Sequence, residues 1–230
     1  MCGRFTLTVP AARLVELFGV DDRVAGEIGA RWNIAPSQDV LAVVLGPGGK
    51  RRLATMRWGL VPSWAKDPSI GNRLINARAE TVAAKGAFRS AFARRRCLIP
   101  ASGFYEWQAV APGGVAHPRR RPFHLHAADG TPLALGGLWE EWRGRDGDLT
   151  TCTIVTTRPN AVVAAIHDRM PLVVPPAAWE RWLVPEPLDA ADQEALLGPA
   201  PDDLLVADPV SARVNSPRND GPDLVEAVEP

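Results

Sequence analysis

The second residue of the chain is a cysteine, in the opening run Met1-Cys2-Gly3-Arg4-Phe5. Removal of the initiator methionine leaves Cys2 carrying a free α-amine and a thiol on one short skeleton. The amine titrates near roughly pH 8 and the thiol near about 8.5, so both are partly nucleophilic at neutral pH. A 1,2-aminothiol reacts twice with an aldehyde. The amine gives a Schiff base, and the thiol closes it to a thiazolidine. An internal residue cannot do this, because its nitrogen is tied up in an amide. The alternative is an inert chain end, and the other reactive residues decide between the two.

Those residues fall in short, dense segments. Ser102-Gly103-Phe104-Tyr105-Glu106-Trp107 sets one carboxylate among aromatics. Apolar surroundings raise a carboxyl pKa toward general acid–base use; the bland alternative is an outward or arginine-paired strand glutamate. Ile166-His167-Asp168-Arg169-Met170-Pro171 puts imidazole, carboxylate and guanidinium side by side. There His167 suits proton transfer near pH 7 and Arg169 suits a phosphate. In Asn76-Ala77-Arg78-Ala79-Glu80, Asn76 either caps a helix or aims its amide at a substrate, with Arg78 on a phosphate. Arg57-Trp58-Gly59-Leu60-Val61-Pro62-Ser63-Trp64 places two tryptophans around a turn. Exposed, they stack bases at about 1–3 kcal/mol each; otherwise they are core. Arg89, Arg94, Arg95 and Arg96 add a basic run. His124 and His126 share a strand face, but no cysteine or carboxylate stands at ligand spacing, so neither a metal nor another cofactor is expected.

The elements that must position these groups follow from local pattern. Thr8-Val9-Pro10 ahead of Leu14, Val15, Leu17 and Phe18 predicts a capped amphipathic helix ending at Gly19. Val40–Leu45 and Arg51–Trp58 predict a hairpin across Gly46-Pro47-Gly48-Gly49. Arg78–Phe92 reads as helix. Cys97–Ile99, Phe104–Trp107, His124–His126, Leu133–Trp142, Thr151–Thr157 and Leu204–Ala207 read as strands. Asn160–Ile166, Ala177–Leu183 and Ala190–Leu197 read as helices. Residues 109–122 form a Pro/Gly/Arg loop. No βαβ period is sustained, which favours one α+β domain on curved, mostly antiparallel, barrel-like sheet with peripheral helices. That domain spans residues 1–216, and 217–230 form an acidic tail expected to be loose.

Composition narrows the class. A 46% hydrophobic fraction with eight tryptophans supplies a core. Charged residues interrupt every apolar run near the start, and no run reaches bilayer length, so a soluble, cytoplasmic monomer is expected. Three widely spaced cysteines suit a reducing compartment. The formal net charge is zero, but residues 1–121 hold 19 Lys+Arg against 8 Asp+Glu and the remainder 7 against 18. That polarity points to a basic face for a polyanion, or to an ordinary solvated surface rich in arginine.

Taken together the segments resemble the SRAP family, the SOS-response-associated peptidase or abasic-site processing proteins. Besides those above, Arg31-Trp32-Asn33-Ile34-Ala35-Pro36 and Arg96-Cys97-Leu98-Ile99-Pro100-Ala101 match, all in the family's order. The resemblance implies a protein that binds single-stranded DNA at an abasic site and cross-links to it through Cys2, protecting the lesion in the DNA-damage response. It implies Asn76, Glu106 and His167 as the other catalytic residues: Asn76 orients the reacting centre, Glu106 acts as acid–base, and His167 moves protons at the sugar. It implies phosphate contacts from Arg4, Arg78 and Arg169. Trp58 and Trp64, with Asn33 and Pro36, would form a wedge and stacking surface. Release of Met1 and a minor β-elimination (lyase) activity follow from the same chemistry, as does association with the nucleoid when DNA is bound. Thr157-Arg158-Pro159-Asn160 departs from the family's usual Thr-x-Ala-Asn. Two rival readings stay open: an N-terminal-nucleophile peptidase or amidohydrolase without DNA chemistry, and a single-strand DNA binder in which Cys2 is incidental.

Overall fold

The computed structural model describes residues 2–23, 29–110, 120–144 and 147–229. Its strands in chain order are β1 Phe5–Leu7, β2 Asp22–Arg23, β3 Arg31–Ile34, β4 Asp39–Leu45, β5 Arg51–Trp58, β6 Asn76–Arg78, β7 Arg96–Ala101, β8 Gly103–Ala109, β9 Arg120–Ala127, β10 Leu133–Gly144, β11 Gly147–Thr157, β12 Met170–Pro171 and β13 Leu205–Pro209. Helices are short: α1 Ala11–Leu17, α2 Arg89–Arg94, α3 Ala161–Ala164, α4 Trp179–Leu183 and α5 Ala190–Leu196.

Five strands close on themselves in the order β4-β5-β11-β10-β7. Antiparallel pairing supplies most of the ring. Two contacts finish it: a parallel pairing of Thr151 with Arg57 and Cys152 with Trp58, and a bridge from Val43 to Leu98. A closed ring leaves no edge to be capped. A second sheet, β13-β9-β8-β1-β3, is antiparallel and open. The chain passes from ring to open sheet through the single residue Ser102, between β7 and β8. Ser102 is pinned there: its N–H donates to Thr6 O at 2.7 Å, and its hydroxyl accepts from the Thr8 N–H at 2.9 Å. Gly103 must lack a side chain, since a Cβ would lie 2.4 Å from His124 Nε2 and 2.7 Å from Leu125 O. The α+β, barrel-like architecture expected from the sequence is the one observed.

Several local expectations change. Arg78–Phe92 is not one helix. Asn76–Arg78 forms β6, paired in parallel with β11, turns follow, and only Arg89–Arg94 is helical. Thr8 does not cap α1, because its backbone and hydroxyl are spent on Ser102. The arginine run divides. Arg96 is 2% exposed and donates to the carbonyls of Phe92, Ala93, Trp182, Val184 and Glu186, bolting α2 to α4. Burial lowers its pKa to about 10. Arg95 pairs with Glu140 at 2.6 Å. Only Arg89 and Arg94 of that run are exposed.

The segment after Pro217, expected to be loose, is docked. Leu224 is fully buried with Tyr105, Val210 and Val214 in a satellite cluster. Asp220 accepts from the Trp32 N–H, and Val228 N–H donates to Pro209 O. It covers the outer edge of β3, which would otherwise expose unpaired backbone groups. Most of the 109–122 loop lies outside the described residues. What is seen is its root, where Ala109 pairs with Arg120. Among the described residues no helix is long and apolar enough to cross a membrane.

Candidate active site

Cys2, Glu106 and His167 come from different parts of the chain and meet at the open sheet, while Asn76 stands on β6 beside the closed ring. Glu106 sits on β8, flanked by β1 and β9. Phe5 pairs with Phe104 and Thr6 with Gly103, while the Tyr105 N–H donates to Arg4 O at 3.0 Å. Continued by one step, that register sets Gly3 opposite Glu106, so Cys2 arrives beside the carboxylate. Asn76 opens β6, which pairs with Ile154 of the ring. The preceding carbonyl, Ile75 O, is held by the Trp58 indole N–H at 2.9 Å and by the Asn76 amide at 3.0 Å.

His167 is fixed from both sides. Asn160 caps α3 by accepting from the Val163 N–H at 3.0 Å, and the His167 N–H donates to Val163 O at 2.8 Å. Downstream, Met170 and Pro171 pair with β11. The Arg169 backbone N–H donates to His167 Nδ1 at 3.0 Å. Nδ1 also lies 3.1 Å from Asp168 Oδ1, and Nε2 faces Glu106 Oε2 at 3.8 Å. Gln108, two residues beyond Glu106, donates to Ala165 O at 2.9 Å and ties β8 to the end of α3.

The electrostatics suit proton transfer. Glu106 is 2% exposed, and burial raises its pKa, with the nearby His167 pulling it back. That is the direction the aromatic surroundings predict. Cys2 is fully buried. Burial, reinforced by the Glu106 carboxylate, pushes its thiol far above the ordinary range. That direction holds for Cys2 with Met1 attached; the expectation of a partly ionised thiol concerns the terminus after Met1 is removed. The Asn76 side-chain oxygen is buried with no hydrogen-bond partner among the described residues. A buried acceptor left open costs about 1–3 kcal/mol unless something donates to it. The concavities of about 720 Å³ near Lys66, Trp142 and Arg143, and of about 340 Å³ beneath Trp179, include none of these four residues.

The residues expected to contact DNA divide more sharply. Trp64 is 63% exposed, and Arg78 is exposed near the Glu80 carboxylate. Pro36 is half-buried. Trp58 cannot stack a base. It is fully buried, in edge contact with Phe5 at 5.3 Å, because β5 turns its side chain into the core. Asn33 is 1% exposed, and its amide donates to the carbonyls of Val214, Ser216 and Asn219. Arg4 donates to Asn33 Oδ1 at 2.7 Å and to Val214 O at 2.8 Å. Arg169 is held bidentately by Glu80 at 2.6 and 2.9 Å and donates to Thr156 O. Sequence reasoning missed Glu80 as that partner, and missed the C-terminal carbonyls around Arg4 and Asn33. Neither carries a local signal, since the partners are 89 and about 180–210 residues apart.

The SOS response associated peptidase (SRAP) model matches residues 1–217. The chain belongs to the SRAP family. Among curated SRAP relatives, the abasic site processing protein YoqW of Bacillus subtilis is 41% identical over 229 residues, covering 99% of this chain and all of that protein. YedK of Escherichia coli, also called an abasic site processing protein, is 30% identical over 233 residues, covering 99% of this chain and all of YedK. The fold agrees with a crystal structure of a Bacteroides thetaiotaomicron protein at a TM-score of 0.86, with 22% identity and 99% and 100% coverage of the two chains. The SRAP match ends just before the docked C-terminal segment.

Proposed function

We propose that the protein processes abasic sites in single-stranded DNA by covalent capture through Cys2. The observation that carries this reading is the placement of a terminal cysteine beside a buried carboxyl group whose pKa is raised. With Met1 gone, the Cys2 amine attacks the aldehyde carbon of the ring-opened deoxyribose. Loss of water gives the Schiff base. The Cys2 sulfur then bonds to the imine carbon, its proton passes to the nitrogen, and a thiazolidine closes. No oxidant or leaving group beyond that water is required.

Each neighbour has a task in this sequence. Glu106 first gives a proton to the departing hydroxyl, for which a raised pKa is an asset, and later relays the thiol proton to the nitrogen as the ring closes. His167, with Nε2 toward Glu106, exchanges protons at the sugar end and assists reversal. Asn76 offers its open oxygen to a donor on the reacting centre. Trp64 stacks a flanking base, with Pro36 beside it, and Arg78 meets a phosphate. Arg169 reaches a phosphate only with the donors that Glu80 leaves. The same groups serve release of Met1 and a minor β-elimination through the Schiff base. The names of the relatives and the SRAP match support the abasic-site substrate, and action as a cytoplasmic monomer in the DNA-damage response fits it.

The test is an oligonucleotide bearing one abasic site, incubated with protein whose loss of Met1 is verified by intact mass and run on a denaturing gel. A heat-stable adduct, absent with undamaged DNA and lost in Cys2→Ser, is expected. Peptide hydrolysis without an adduct would instead establish the amidohydrolase reading, and binding without any covalent product would leave Cys2 incidental.

A further inference from the structure

The C-terminal segment grips the two strands that carry the reacting groups. Arg4, two residues from Cys2, donates to Val214 O and Asn215 O, and its backbone N–H is directed at the Cys2 sulfur. On the other side, Tyr105 and Trp107 flank Glu106. The Tyr105 hydroxyl donates to Trp32 O at 2.7 Å, and the Trp107 indole donates to Asn215 Oδ1 at 2.7 Å. Asn33 joins the halves. Its oxygen takes the Arg4 guanidinium while its amide spreads over three carbonyls, Val214 at 3.2 Å, Ser216 at 3.0 Å and Asn219 at 2.8 Å. Leu224 closes the clasp against Tyr105.

We infer that Asn33 is a positioning residue and that residues 214–224 form a clasp setting Cys2 against Glu106, rather than a DNA contact and an appended tail. This rests on the covalent-capture reading and adds the element that holds its two reactants in register. An asparagine suits the role because one side chain both accepts from a cation and donates to carbonyls. Aspartate would face three carbonyl oxygens with oxygens of its own. The clasp carries the site past residue 217, where the family match ends.

The experiment compares wild type with Asn33→Ala on two oligonucleotides: one with an abasic site, and one with a tetrahydrofuran abasic analogue, which has no aldehyde. Adduct formation at saturating DNA should fall by about ten-fold or more, as expected when reacting atoms are displaced by about an ångström. Affinity for the tetrahydrofuran oligonucleotide should stay within about two-fold of wild type, because Asn33 is buried away from DNA. The acid limb of the rate–pH profile should move to lower pH as water reaches Glu106, which simple destabilisation, measured well below the melting temperature, would not cause. Should Asn33→Ala fail to fold, Trp107→Phe and Asn215→Ala remove one shared bond from its two ends. Each should slow capture by the same factor, and the double variant should slow it no further. An unchanged rate, or a loss fully recovered by raising the DNA concentration, overturns the assignment. If wild type itself forms no adduct, covalent capture fails first; if wild type captures and the variants match it, only the clasp fails.

Discussion

The closed ring and the seam beside it handle buried polar groups in opposite ways. In the ring region a buried cation is answered in full: Arg96 meets carbonyl after carbonyl, and Trp182 lies beneath it with the guanidinium 5.8 Å from its ring. At the seam Glu106 is buried at the expense of its charge, and on β6 the Asn76 oxygen has no donor among the described residues. The ring is arranged for stability.

Exchanging one group from each region should expose this contrast most strongly. Glu106→Gln keeps the shape but removes the shuttle, so capture should slow by about 10²–10⁴-fold, read from adduct formation against time. Stability should move the other way. Glu106 has a folded pKa above its unfolded value, so it contributes a penalty that grows as pH rises from the unfolded toward the folded pKa. The glutamine variant should therefore melt at the same or a higher temperature at pH 7. A lower melting temperature would show that Glu106 stabilises the fold. Trp58→Ala makes the complementary cut. Loss of a fully buried indole should cost about 3–5 kcal/mol of stability in denaturant titration.

The open sheet has its own weak point, and pH finds it. His124 is buried between Tyr105 and His126, and burial lowers its pKa to about 4. Unfolded histidine takes up its proton near pH 6.5 while the folded form refuses it until about 4, so stability falls across that window, by about 3 kcal/mol in all. Melting curves between pH 7 and pH 4 should trace the decline, and His124→Gln should flatten it. A slope that survives the substitution would move the effect to other groups. Smaller again are the surface changes. Trp64→Ala should cost about 1–3 kcal/mol of single-strand affinity through lost stacking, with little change in melting. Arg78→Ala should lower the slope of log affinity against log salt by about one. An unaltered slope would return Arg78 to the solvated surface.

Legibility in the sequence followed the range of the interactions. The β4–β5 hairpin, the strands of the ring and the capped α3 are written in alternation, turn residues and Asn160, all within a few positions. Cys2, Glu106 and His167 were legible because their chemistry is rare in those neighbourhoods. Asn76 was legible as a residue but not as an element: Asn76-Ala77-Arg78 has helix-compatible composition, and only the distant partner β11 makes it a strand. Arg4 and Arg96 look alike as cations in sequence. One is drawn into carbonyls about 210 residues away and the other into the core, because carbonyl acceptors leave no signature in side-chain pattern. Trp58 and Trp64 differ by the face of β5 and its turn, a distinction that spacing alone does not make.

The one-residue crossing at Ser102 has a mechanical meaning. With no slack between β7 and β8, the strand bearing Glu106 is a direct extension of a hoop that has no free side from which to unzip. Amide protons along 97–108 should accordingly be among the last in the molecule to exchange with deuterated water.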